Sequence, residues 1–209
     1  MTLTLTADTT VTATFALRPS FGDATPRDTG AIEAIAQLAA RGIIKGCDPG
    51  ANLFCPTDPT LRAQMAALIV RAMGWGDENP ANPFNDRDGV DDELWRSIAI
   101  LADHGVAKGY GDGTYGTTGP VLNAQVISFI TRAMVDQGYW TPQADAPLIY
   151  PDVPISSGHR QDLVTYAHYA GTIRGTDGVT EDFAGWDQPA TRAWFAFALW
   201  QALDSHFGR

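Results

Sequence analysis

One twelve-residue pattern occurs three times in this chain, and it limits the fold more than any other feature. Ile35-Ala36-Gln37-Leu38-Ala39-Ala40-Arg41-Gly42-Ile43-Ile44-Lys45-Gly46 aligns with Ile98-Ala99-Ile100-Leu101-Ala102-Asp103-His104-Gly105-Val106-Ala107-Lys108-Gly109. The third copy is Val164-Thr165-Tyr166-Ala167-His168-Tyr169-Ala170-Gly171-Thr172-Ile173-Arg174-Gly175. An aromatic-x-Asp element precedes each copy, at Phe21/Asp23, Phe84/Asp86 and Tyr150/Asp152. A second helical stretch follows in register, opening at Arg62-Ala63, Asn123-Ala124 and Arg192-Ala193. Three features in one order across three copies predict a repeat protein. A unit of about 60 residues buries little core alone and must cover its apolar face with its neighbours.

Each copy reads as two helices around a turn-rich loop, so the fold class expected is mainly α. The first helix carries Ile35 and Leu38, or Ile98 and Leu101, at helical spacing and stops at Gly42, Gly105 or Gly171. A glycine suits the position after a helix end, where positive φ is required. The second helix repeats apolar positions at Met65/Ile69/Ala72, Val126/Ile130/Ala133 and Phe195/Leu199/Ala202, which buries one stripe. Pro59, Pro120 and Pro189 precede it and set its approach. Linkers are expected near 76–82 and 141–147, both rich in Pro and polar residues.

The first residues differ. Leu3, Leu5, Ala7, Val11, Ala13, Phe15 and Leu17 alternate with threonines, the period of a β-strand. A lone hairpin is marginal in water, so residues 1–17 are read as remnant strands of an upstream β-module. They resemble the closing strands of bacterial extracellular repeat modules. No basic, apolar signal segment opens the chain, so Met1 is read as the start of a piece of a longer protein. The three repeats are then placed at 18–79, 80–145 and 146–209.

Charge and cysteine usage narrow the function. Lys+Arg number 14 against 24 Asp+Glu, for a net charge of −10 and a pI near 4.6. A broad nucleic-acid surface needs clustered cations that this balance does not provide. Any anionic ligand must be held by a few placed cations. No apolar run reaches the length of a membrane span. Cys47 and Cys55 flank a turn-rich segment, and no histidine lies near enough in sequence to make a zinc site with them. A local disulfide is expected, with two free thiols as the alternative, and a disulfide implies an oxidising, extracytoplasmic setting.

The order aromatic-x-Asp, helix, Gly-Ile-Ile-Lys-Gly, turn loop, then a helix opening like Thr-Arg-Ala-Glu, resembles S-layer homology repeats. The loop Gly109-Tyr110-Gly111-Asp112-Gly113-Thr114-Tyr115-Gly116 is similar to the family's loop, and the similarity runs from about Ser20 to Ser205. The resemblance implies a pseudo-threefold helical spindle. It also implies noncovalent anchoring at the bacterial cell surface, by binding a secondary cell-wall polysaccharide, often pyruvylated, in grooves between repeats. Arg62 and Arg192 match the family arginine at the start of the second helix. Such a guanidinium can fork onto a carboxylate beside free helix N–H groups; the alternative is a salt bridge to Asp23 or Asp152. Asn123 replaces the arginine in the middle copy and removes its charge, so that groove is expected to be weakened. Gln64, Gln125 and Trp194 stand at the family's glutamate position. Leu61 and Leu122 displace its capping threonine, which leaves the cap to Asp58, another backbone group or water.

Asp23, Asp86 and Asp152 recur at the family aspartate. They are expected either to accept hydrogen bonds from a helix start or an arginine, or to take ligand hydroxyls. Lys45, Lys108 and Arg174 keep a cation beside Gly46, Gly109 and Gly175, as ligand contacts or as solvated loop edges. Trp95 and Trp194 are candidates to line a groove, with plain core packing as the alternative. Trp75 and Trp140 follow helix ends and are expected to staple repeats together.

Enzyme and metal readings do not hold. In Asn85-Asp86-Arg87-Asp88-Gly89, placing Gly89 sixth puts Phe84 first and Trp95 twelfth in a calcium loop, so both obligatory carboxylates are missing. Gly109-Tyr110-Gly111 follows a helix rather than a strand, against a dinucleotide fingerprint. The four histidines share no ligand spacing, and no serine sits in a nucleophile elbow. The expectation is a non-catalytic anchoring module of a larger exported bacterial protein, without cofactor or metal, whose partner is a secondary cell-wall polysaccharide. Contacts with surface-layer proteins are a further expected partnership. The alternative is a self-assembly module of a surface layer that binds no glycan.

Overall fold

The computed structural model describes residues 21–24, 29–48, 50–143, 153–154, 156–171 and 185–207. The expected β segment 1–17, together with Asp152, Arg174 and Gly175, lies outside the described residues. Among the described residues, six helices form the architecture: α1 (Thr29–Ala40), α2 (Arg62–Met73), α3 (Asp92–Asp103), α4 (Asn123–Asp136), α5 (Arg160–Ala170) and α6 (Arg192–Phe207). The fold is mainly α, and the isolated β-bridges among the described residues join loop segments and turns.

The stripes read from periodicity are the core. Met65, Ile69, Val126, Ile130, Phe195, Leu199 and Ala202 are buried, as are Ile35, Leu38, Ile98 and Leu101 of the first helices. Ala72 alone of the named stripe positions in α2, α4 and α6 is only partly buried. Gly42, Gly105 and Gly171 have φ of 71°, 67° and 85°, the conformation a helix-stopping glycine supplies.

Helices pair across the sequence copies. α1 packs against α6, α2 against α3 and α4 against α5, and α4 touches both α2 and α6. Trp75, after α2, stacks on His104 at the end of α3, with ring centroids 3.8 Å apart. Trp140, after α4, stacks on Tyr169 of α5 at 5.2 Å. Both tryptophans are buried and join consecutive helices of different copies.

The turns before α2, α4 and α6 meet in a closed ring of backbone hydrogen bonds. Thr60 N–H donates to the Ala190 carbonyl (2.8 Å), Ala190 N–H to Val121 (2.8 Å), and Val121 N–H to Thr60 (2.9 Å). The same turns solve the capping problem left by Leu61 and Leu122. Arg62 and Ala63 N–H donate to the carbonyls of Gly119 and Thr117. Asn123 and Ala124 donate to Gln188 and Trp186, and Arg192 and Ala193 to Asp58 and Pro56. Helix-start donors must be satisfied when buried, and here loop carbonyls of another copy do it. Of the three sources left open by the sequence, the structure uses backbone groups; the Asp58 carbonyl serves α6, not α2. Of α2, α4 and α6, the last adds a hydroxyl cap, with Thr191 Oγ1 accepting from Trp194 N–H at 3.2 Å.

Thr60 is an anomaly in this ring. It is fully buried beside Val121 and Ala190, and its Oγ1 has no hydrogen-bond partner among the described residues. A buried hydroxyl without a partner costs about 1–3 kcal/mol. Thr60→Val keeps the shape and removes the hydroxyl, so it is expected to stabilise the fold by about 1–2 kcal/mol, read as a raised urea midpoint. A midpoint unchanged or lowered would refute this account of the site.

Candidate functional site

Two loops hold their arginines in the same way. Asp23 Oδ1 and Oδ2 accept the N–H groups of Phe54 and Cys55, each at 2.7 Å. The carbonyl of Phe54 then accepts Arg192 Nε at 2.8 Å, and the guanidinium lies 4.9 Å from the Phe54 ring centroid. In the next copy Asp86 accepts from Tyr115, Gly116 and Thr117 N–H at 2.8, 2.7 and 3.2 Å. The carbonyl of Tyr115 accepts Arg62 Nε at 2.9 Å, with the guanidinium 4.8 Å from the Tyr115 ring. Among the described residues neither aspartate caps a helix start or ion-pairs with an arginine; both accept loop N–H groups instead, which corrects that part of the sequence reading. Each fixes a loop, and the loop carbonyl fixes the guanidinium.

The rest of the second loop supports this geometry. Phe84 packs on Tyr115 as Phe21 packs on Phe54, both pairs with centroids 5.4 Å apart. Cys47 and Cys55 form a disulfide across the first loop. Gly46 and Gly109 permit close approach: an added Cβ would lie 2.6 Å from the Leu53 carbonyl or 2.5 Å from that of Thr114.

Arg192 faces a cleft of about 250 Å³ between the first loop, α2, the start of α3 and α6. The cleft brings together Lys45, Gly46, Gln64, Arg71 and Arg192. The terminal nitrogens of Arg192 have no hydrogen-bond partner among the described residues. Burial draws its pKa below the usual arginine value, against the opposing fields of Asp58 and Asp23. Arg71 donates to Glu93 at 3.1 and 2.5 Å, and Lys45 lies 3.5 Å from the same carboxylate. Hydrogen bonding from Arg71 is the main reason that Glu93 titrates below its ordinary range.

Arg71 and Glu93 were not singled out from the sequence. A signal existed, since Arg71 and Arg132 occupy the same register in α2 and α4 as Arg62 and Asn123. Arg132 likewise meets a carboxylate, donating to Asp162 at 3.0 Å.

The remaining candidates are placed less centrally. Lys108 is exposed beside Gly109. Asn123 is buried; its Nδ2 donates to the Gly185 carbonyl at 2.9 Å, and its Oδ1 has no partner among the described residues. The amide thus makes the loop-carbonyl contact that the arginines make, without their charge. Trp194 is buried in α6, while Trp95 is partly buried on α3 and lines a separate cleft with Arg87 and Arg96. The described residues contain no cluster of His, Cys, Asp or Glu suited to a metal ion.

His104 ties the linker after α2 to α4. Its Nε2 donates to Glu78 at 2.8 Å and its Nδ1 to Asp136 at 2.6 Å, an arrangement only the imidazolium can make. Burial disfavours that charge, but the two carboxylates outweigh it and raise the pKa. At Asp23 and Asp86 burial also opposes the charge, and the loop N–H groups outweigh it and lower the pKa. The aspartates therefore stabilise the fold above their unfolded pKa of about 3.9 and lose that contribution as pH falls through the folded value. His104 contributes below about 6.5 and loses its contribution as pH rises through its raised folded value. Melting temperature is expected to peak between these edges, with Asp86→Asn weakening the acid fall and His104→Gln the alkaline one. Profiles of unchanged shape in both variants would refute the assignment.

The paired loops coincide with a known domain. Residues 20–66 and 83–127 match the S-layer homology domain. Over these two stretches, together less than half of its length, the chain is similar to that domain. No curated protein matches the chain. The first copy contains Asp23, Lys45, Gly46 and Arg62, and the second Asp86, Lys108, Gly109 and Asn123. Arg192 lies outside both. S-layer homology domains are in general non-catalytic anchoring modules associated with cell surfaces, where they bind cell-wall polymers. No helix among the described residues is long and apolar enough to cross a membrane.

Proposed function

We propose that this chain is a cell-surface anchor built of three S-layer homology repeats, closed into a pseudo-threefold spindle, that binds an anionic secondary cell-wall polysaccharide. The ring through Thr60, Val121 and Ala190, with the matching capping bonds around it, supports three related units about one axis. The observation that carries the binding role is Arg192. A guanidinium held at its Nε by the Phe54 carbonyl presents its terminal nitrogens to a cleft shared with Lys45 and Arg71.

A sugar carboxylate, such as a pyruvyl group, matches that fork in geometry and charge. Lys45 adds a second cation at the rim, and Gly46 lets a sugar approach the backbone. Asp23 acts through the loop, holding the Phe54 carbonyl where Arg192 needs it. Asn123, buried and neutral, supplies no charge to attract an anion. Nothing in this role requires bond making or breaking.

A desolvated charge-assisted contact is worth about 1.5–3 kcal/mol. Arg192→Ala is therefore expected to weaken sedimentation with purified, protein-stripped cell walls by about tenfold or more. Equal pelleting of wild type and variant would remove the role of Arg192. Concentration-dependent oligomers forming without polysaccharide would instead favour a self-assembly module.

A further inference from the structure

We infer that Tyr110 is a gate over Arg62, so that the two arginine sites differ in access: the Arg192 site is open and the Arg62 site is closed until this ring swings away. The inference rests on the binding role proposed above and adds a residue that decides which sugar acids reach the second guanidinium.

Arg62 is only 4% exposed. Its guanidinium faces three rings, Tyr110 at 5.0 Å, Tyr115 at 4.8 Å and Phe129 at 5.2 Å. Its hydrogen bonds go to neutral acceptors, the Tyr115 carbonyl and Gln125 Oε1 at 3.1 Å. It makes no ion pair among the described residues. Burying a cation against neutral partners is costly, and aromatic faces offset part of that cost. An anion delivered to the site would offset more.

Of the three rings, Tyr115 and Phe129 belong to the buried core, whereas Tyr110 is 58% exposed. Only Tyr110 can leave without opening the core. Its ring is seated against Gly116, where an added Cβ would come within 2.5 Å of Tyr110 Cε2. The loop on either side is glycine, at 109 and 111, both with positive φ. In the first loop the residue after the matching Gly46 is Cys47, which is locked in the disulfide and carries no ring. Among the described residues Arg192 accordingly meets one ring, that of Phe54, where Arg62 meets three.

The ligand class that fits is a monosaccharide carrying a carboxylate: the acid pairs with Arg62, and the displaced tyrosine can stack on the sugar face. Larger substituents near the acid would be rejected at this site and accepted at Arg192.

The test has two arms on the full chain. In the first, arginine modification by phenylglyoxal is followed by mass spectrometry. Tyr110→Ala is expected to accelerate modification of Arg62 at least tenfold and leave that of Arg192 unchanged, while Tyr110→Phe, which keeps the ring, leaves both slow. An unchanged Arg62 rate in Tyr110→Ala overturns the gate whatever the protein binds. In the second arm, a pyruvylated N-acetylhexosamine methyl glycoside is bound to proteins carrying Arg192→Ala. Adding Tyr110→Ala is expected to raise the association rate at least tenfold, and adding Arg62→Met to abolish binding. An Arg62 freed in the first arm that still ignores this glycoside overturns the ligand class and the binding role with it. Binding that is unaffected by Arg62→Met overturns the site.

Discussion

Gly109→Ala is expected to destabilise the protein by about 2–5 kcal/mol, combining strain in the left-handed backbone region with overpacking. The added methyl would sit 2.4 Å from Phe84 Cε1 and 2.5 Å from the Thr114 carbonyl, at a φ of +65°. Neither neighbour can yield cheaply. Phe84 packs on Tyr115, and the Thr114 carbonyl accepts Tyr110 N–H at 3.0 Å. Gly111→Ala is the matched control: its φ is +85°, but nothing lies within 4 Å, so backbone strain alone should cost about 1–2 kcal/mol. Urea denaturation of the two variants separates contact from conformation. Equal losses would show that the close approach at Gly109 is not what holds the loop.

Removing the disulfide should have the other large effect. Cys47 and Cys55 are eight residues apart, and closing so short a loop restricts the unfolded chain by about 2–3 kcal/mol. Cys47→Ser with Cys55→Ser is expected to lose that amount. Reduction of the wild type should lower its midpoint by a similar step. The bond also anchors Cys55, whose N–H is held by Asp23 and whose neighbour Phe54 supplies the carbonyl for Arg192. The variant should therefore bind cell walls more weakly than its residual stability explains. A midpoint insensitive to both treatments would show that the loop is organised by Asp23 and the Asp48–Leu53 pairing without the sulfur bridge.

Much of the architecture was legible because it is written locally. Apolar positions three and four residues apart report which face of a helix is buried, and Ile69, Ile130 and Leu199 are buried as that spacing requires. Glycines that end helices carry their own conformational signature. Two cysteines around a turn are close enough for geometry to favour their pairing. The recurrence of Arg62 and Arg192 also identified the two side chains held alike in the structure.

The partners of those side chains were not legible. Asp23 and Asp86 looked like helix caps or arginine partners, since a carboxylate beside a helix start has both uses; which N–H groups it meets depends on how a distant loop folds back. Leu61 and Leu122 left helix-start donors without an acceptor, and the acceptors came from Gly119, Thr117, Gln188 and Trp186, far along the chain. His104 shares no spacing with another histidine, yet it joins Glu78 to Asp136.

The sequence by itself determined the helical class, the buried stripes, the disulfide and the recurrence of the two arginines, because each is a short-range property of neighbouring residues. Only the tertiary structure decided that Arg192 opens into a cleft with Lys45 and Arg71, and that Arg62 lies beneath Tyr110. Those contacts are set by how rigid helices pack against one another, and a difference of one side chain, Tyr110 against Cys47, changes access without changing the repeat pattern.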